Sequence, residues 1–212
     1  DGSSEIKIRS ASFSSWFKCD DVTHNGPQVI YEQGGDTSGL GLWVSASNVY
    51  FRTYVAGADA SAEDCLVSSS IDSGEWYHVV GTINRPTNST PTASLYLNGV
   101  KKQTSHTMTD NTILAHSGKT GIGAVVNEAN LSIHQGTTHN HSGDGLGAFT
   151  GSIDEVRVYA GKVLSDVDIQ GLYLSPAGTA PGSTIIEGNR IQTGKIVSNN
   201  LGASAGSILN LD

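Results

Sequence analysis

The chain has 212 residues, a formal net charge of −8, only 15% charged residues and 26 glycines. That acidity argues against nucleic acid or an anionic membrane as partner, because the whole surface repels a polyanion. No apolar run is long enough to span a bilayer, and many glycines with few charges suit short strands joined by tight turns.

In chain order, period-two alternation predicts strands over 4–9, 12–18, 28–33, 40–45, 48–55, 65–71, 76–84, 93–98, 120–126 and 150–159. Turn residues separate them: Asn25-Gly26-Pro27, Gly34-Gly35-Asp36, Ser47-Asn48, Asn98-Gly99 and Ser142-Gly143-Asp144-Gly145. Asn98-Gly99 between two apolar runs is a strong hairpin signal, since both central positions of that turn take positive φ. Strands at such spacing predict an all-β, two-sheet antiparallel jelly-roll sandwich. Its expected core includes Ile6, Phe17, Val79, Leu97 and Val156, with Trp16 and Trp76 also placed inside. One helix is predicted near 165–174, capped by Ser165 with Asp168 three residues on. Cys19 and Cys65 lack metal-type spacing and read as buried free thiols; whether the fold pairs them stays open.

The composition divides the chain into a jelly roll over 1–175, a Pro/Gly/Ala linker over 176–182 and an extended segment over 183–212. The last segment spaces isoleucines among glycines and is too short to bury them alone, so it needs a partner surface. The chain starts at Asp1 without a methionine and reads as a fragment of a longer protein.

Three groups of residues are candidates for chemistry. By the two-residue period Asp154 shares a strand face with Val156 and Val158, and a carboxylate there must be answered by hydrogen bonds or a metal ion. Along 40–45 and 48–55 the aliphatic residues alternate with Trp43, Tyr50, Arg52 and Tyr54. With the aliphatic set inward, those four form an outward patch that suits the apolar face of a sugar, or else packs on the linker, the tail or a neighbouring subunit. His134, His139 and His141, with Asp144, lie in a long Gly-rich loop over 127–148. His139 and His141 have the spacing to chelate a transition metal, while a solvated loop is the plainer reading. No paired carboxylates of glycosidase type share a strand face, because Asp154 and Glu155 are adjacent, and no nucleophile elbow or phosphate loop is present. The chain is therefore read as a non-enzyme.

Four stretches together resemble one family. They are Asp1-Gly2-Ser3-Ser4-Glu5-Ile6-Lys7-Ile8, Ser12-Phe13-Ser14-Ser15-Trp16-Phe17-Lys18, Gly74-Glu75-Trp76-Tyr77-His78-Val79-Val80 with Ser94-Leu95-Tyr96-Leu97-Asn98-Gly99, and Gly151-Ser152-Ile153-Asp154-Glu155-Val156-Arg157-Val158-Tyr159. In this order they resemble laminin G-like, concanavalin A-like jelly rolls over about 1–175. The resemblance implies a calcium ion between first and last strands, which here would be held by Asp1 and Asp154. The run from Ile191-Gln192-Thr193-Gly194-Lys195-Ile196 to Ala205-Gly206-Ser207-Ile208-Leu209-Asn210-Leu211-Asp212 resembles an element of bacteriophage tail-fibre proteins, which implies a homotrimer on a virion. The expected function is attachment to a host surface receptor, a glycan above all. The alternatives are a decoration domain without ligand, or a carbohydrate-binding accessory domain of a secreted bacterial protein.

Overall fold

Short alternating strands expose one apolar face each and need a second apolar surface to bury it. In the computed structural model that surface is another sheet. The structure describes residues 10–34, 38–55, 65–84, 92–105, 120–126, 128–130, 140–142, 147–174, 196–197 and 208–209. Of Ser38, Tyr54, Val55 and the strand residues within 128–142 and 196–209 it describes the backbone only.

The strands are β1 (Ala11–Cys19), β2 (Gln28–Gly34), β3 (Ser38–Ser45), β4 (Asn48–Val55), β5 (Cys65–Ser70), β6 (Trp76–Asn84), β7 (Thr92–Leu97), β8 (Val100–Ser105), β9 (Thr120–Ile122), β10 (Glu128–Asn130), β11 (Asn140–Ser142) and β12 (Gly151–Ala160). One five-stranded sheet runs β12-β1-β6-β7-β8 and the other β5-β4-β3-β2-β9, and every pairing is antiparallel. Phe13, Phe17, Val79, Ile83, Leu95 and Leu97 from the first sheet meet Ile30, Leu42, Val44, Phe51 and Val67 from the second in one apolar core. The sheets come close where the Phe51 ring lies over Gly81; a Cβ at that glycine would be 2.5 Å from the ring. Of the expected core, Phe17, Val79 and Leu97 are buried and Val156 packs on its margin, while Ile6 lies outside the described residues. Cys19 and Cys65 are buried free thiols.

The helix α1 (Asp166–Leu174) carries the predicted cap: Ser165 Oγ accepts the Asp168 N–H at 3.1 Å, and Asp168 Oδ2 accepts the Ser165 N–H at 3.1 Å. Leu164 and Ile169 bury against Val80 and Tyr96 on the outer face of the first sheet. Ser12 Oγ fixes the lead-in to the helix, donating to the Lys162 carbonyl and accepting the Leu164 N–H. At the far end a Cβ on Gly99, in the β7–β8 turn, would meet the Tyr173 ring at 3.2 Å.

Several predicted elements need correction. The expected strand over 120–126 stops after Ile122, where Gly123 takes φ +77° and turns the chain. β8 was not predicted, because Val100-Lys101-Lys102-Gln103-Thr104 is an exposed, polar edge strand with no apolar alternation. The two-residue period also fails inside β12. Glu155 has φ +53° and the register with β1 shifts between Ser14 and Trp16, which marks a β-bulge. The extra residue reverses the faces. Val156 stays inward, and Asp154 turns outward opposite Trp16. Ser15 Oγ donates to the Asp154 carbonyl at 3.2 Å and so ties down the kink.

The chain divides into two compact units, Asp1–Gly178 and Thr179–Asp212. In the second, β13 (Ile196–Val197) and β14 (Ile208–Leu209) pair antiparallel, with Ile196 opposite Leu209 and Val197 opposite Ile208.

Candidate functional site

The outer faces of the two sheets carry the unusual chemistry. Among the described residues five buried side-chain polar atoms lack a hydrogen-bond partner: Trp16 Nε1, Glu32 Oε2, Trp43 Nε1, His78 Nδ1 and Arg157 Nη1. Strand parity places all of them away from the core between the sheets.

On the first sheet Trp16 and Lys18 of β1 lie opposite His78 and Trp76 of β6, and opposite Asp154 and Ser152 of β12. His78 is fully buried. Its Nε2 meets Ser14 Oγ at 2.9 Å, and its ring lies 5.3 Å from Trp16 and 6.3 Å from Tyr173. Tyr173 in turn stacks on Trp16 at 5.7 Å. Burial, with the nearby Arg157 guanidinium second, pushes the His78 imidazole down to about 4, so it is neutral at neutral pH. Arg157 is ion-paired with Glu155. Ser14 and His78 have the composition of a nucleophile and a base, yet both are buried, His78 against the Trp16 and Tyr173 rings.

The edge of this face is open. Trp76 is 44% exposed, and Lys18 Nζ sits 5.8 Å from its ring centroid. Asp154 is exposed on the same face, on the next strand but one and opposite Trp16, one of its oxygens accepting the Glu155 N–H at 2.8 Å. The site therefore offers an aromatic plate, an ammonium and a carboxylate to solvent. Trp16 and Trp76 were expected in the core, and this is a correction. Phe17 and Val79 point inward, so their odd-numbered offsets, one and three residues, send both tryptophans to the other face. That alternation was the signal that could have found them.

On the second sheet the parity of Trp43, Tyr50 and Arg52 is outward as expected, but Trp43 and Arg52 are buried and Tyr50 is half-buried. Trp43 is 0% exposed and stacks on Tyr50 at 5.4 Å, packed with Val29, Leu66 and Val125. Arg52 is 6% exposed, and the Tyr54 side chain lies outside what is described. Among the described residues the chain after β9 lays Val125 on Trp43, and β10 packs on β3 and β2. The outward positions of β3 there are Gly39 and Gly41, which leave room for a second layer of backbone. Beside them Glu32 is fully buried; its Oε1 accepts the Val126 N–H at 3.0 Å. Burial raises this carboxyl to about 7, against the N–H bonds from Val126 and Gly121 that favour its charged form.

The expected metal ligands are not brought together among the described residues, which hold no cluster of three or more His, Cys, Asp or Glu. Asp154 needs no cation for burial, because it is exposed. Asp1, His134, His139 and Asp144 lie outside the described residues, and of His141 only the backbone is placed, paired with Ala129. No described helix is long and apolar enough to cross a membrane.

This architecture, two antiparallel sheets with a closing strand and one capped helix, is matched over residues 3–170 by the family model described as the concanavalin A-like lectin/glucanases superfamily. The chain belongs to that superfamily. No curated protein matches it. Solved structures similar to this superfamily member include the botulinum neurotoxin serotype D binding domain, with 19% identity and a TM-score of 0.54 over 82% of this chain. The serotype D ligand binding domain in complex with N-acetylneuraminic acid matches at 17% identity and TM-score 0.53 over 80%. The serotype G binding domain matches at 12% and 0.53 over 79%. The aligned part spans 38%, 37% and 36% of those neurotoxin chains, and at such identities the likeness is one of fold.

Proposed function

We propose that the jelly roll is a non-catalytic glycan-recognition module of a phage tail fibre or tail tip, attaching the virion to a host surface, with Thr179–Asp212 joining copies as a homotrimer. The observation that carries the reading is Trp76, 44% exposed on a strand, with Lys18 over its ring and Asp154 exposed on the same face two strands away. An indole face stacks on the C–H face of a pyranose, while an ammonium donates to, and a carboxylate accepts from, its hydroxyls. The site is built on strands, so little ordering is needed on binding. A structural neighbour solved in complex with N-acetylneuraminic acid supports a sugar as the partner class.

The tail supports display in several copies. A two-stranded hairpin with Ile196 opposite Leu209 and Val197 opposite Ile208 is marginal alone. Identical chains would bury those residues and lend weak single sites avidity. The same hairpin also suits a decoration domain that assembles without a ligand.

A glycan array probed with the full chain and with Trp76→Ala separates these readings. Binding to a host polysaccharide that is lost in the variant, with the melting temperature kept, is expected. No binding across host polysaccharides would leave the decoration role. Light scattering with and without residues 183–212 tests the trimer, and a monomer in both removes the fibre context.

A further inference from the structure

The second sheet carries a feature that glycan recognition at Trp76 does not use. Glu32 lies on its outer face between Gly41 of β3 and Gly121 of β9. It is fully buried, with Oε1 bonded to the Val126 N–H and Oε2 without a partner. The fit is tight, because a Cβ on Gly121 would lie 2.6 Å from Oε1 and 2.3 Å from the Ala124 carbonyl. Between those two anchor points the chain turns at Gly123 and lays Val125, 0% exposed, on Val29 and Trp43. Glu32 thus ties down both ends of the segment that covers the aromatic face.

We propose that Glu32 is a proton-operated fastening for residues 121–126, and that this cover over Val29 and Trp43 loosens as pH rises from mildly acidic to neutral. Protonated, the carboxyl is buried without charge, and its Oε1 still accepts from Val126. Ionised, it is a buried carboxylate with one oxygen unanswered, and lifting the segment lets water reach it. Burial places its titration at about 7 while the cover is shut, against 4.5 for a free carboxyl. The opening constant should therefore rise tenfold per pH unit through that interval, about three-hundredfold in all, and level off above it.

Among the described residues other charged groups near this face are few. β3, β9 and residues 123–126 contribute none, β4 contributes Arg52, and β2 contributes Tyr31, adjacent in sequence, whose phenol burial pushes up to about 12. The β10–β11 hairpin contributes Glu128 and His141. Only Glu32 bonds the Val126 amide.

The test is amide hydrogen exchange of Gly123 and Val126 by NMR between pH 5 and 8, corrected for intrinsic rates, in the wild type and in Glu32→Gln. Protection in the wild type is expected to fall about tenfold per unit up to about 7 and then flatten, and the variant should be level. A level wild-type profile overturns the proposal. So does an unchanged slope in Glu32→Gln, which would assign the effect to Glu128 or His141. Carbon-13 titration of the Glu32 carboxyl in the wild type decides the matter without a variant, because a midpoint in the ordinary carboxylate range ends it. None of these outcomes depends on a sugar being bound.

Discussion

Global stability should respond to pH through two buried groups of opposite sign. His78 is held neutral, with its imidazole pushed from 6.5 to about 4. Below 6.5 the unfolded chain takes up a proton that the fold refuses, so stability falls with falling pH. Glu32 runs the other way, raised from 4.5 to about 7. Above 4.5 the unfolded chain releases a proton that the fold keeps, so stability falls with rising pH. Between pH 4.5 and 6.5 each effect amounts to about 2 kcal/mol, and they cancel. Asp21, Asp166 and Asp168 are all held below the usual carboxylate value by hydrogen bonds, so they act at lower pH. The wild type should therefore show a nearly level urea midpoint across this window. Glu32→Gln should uncover the histidine slope, gaining about 2 kcal/mol from pH 4.5 to 6.5, or about 4–8 °C in melting temperature for a unit of this size. His78→Gln should show the reverse slope. A Glu32→Gln profile parallel to that of the wild type would refute the reasoning, since it would mean that Glu32 titrates alike in the folded and unfolded chains.

Gly81→Ala should cost more than about 2 kcal/mol by urea denaturation, because its Cβ would stand 2.5 Å from the Phe51 ring. Pairing it with Phe51→Leu should recover part of that loss, and strict additivity of the two would count against the clash. For calcium, the exposed Asp154 predicts that a chelator leaves the melting temperature of the jelly roll unchanged; a drop of several degrees would point to a site built on Asp1 and the first residues.

Much of the architecture was legible in the sequence where local chemistry decides it. Asn98 and Gly99 take φ of 52° and 77°, as a two-residue hairpin turn requires. The Ser165–Asp168 cap is where its spacing put it. The outward parity of Trp43, Tyr50 and Arg52 was also readable, because β3 and β4 pair without a register break. Their exposure was not readable, since the cover comes from a stretch with no periodicity that lies far along the chain. Asp154 fails for a different reason. Alternation assumes that no residue is extra, and the bulge at Glu155 breaks that assumption without a glycine to announce it. The outer-face position of Trp76 was available from the offset to Val79 but was masked by its bulk, which argues for burial by composition alone.

One consequence concerns how the chain is made. β1 is synthesised before β6 and β12, yet it sits between them in the finished sheet. One of its edges must wait until Gly151–Ala160 has been synthesised. Until then Phe13 and Phe17 lack part of their final shelter, and a row of backbone donors and acceptors is open to any passing strand. Chains truncated before residue 151 should therefore be drawn to chaperones or to one another, and β12, though made long after β1, is the strand that shelters it.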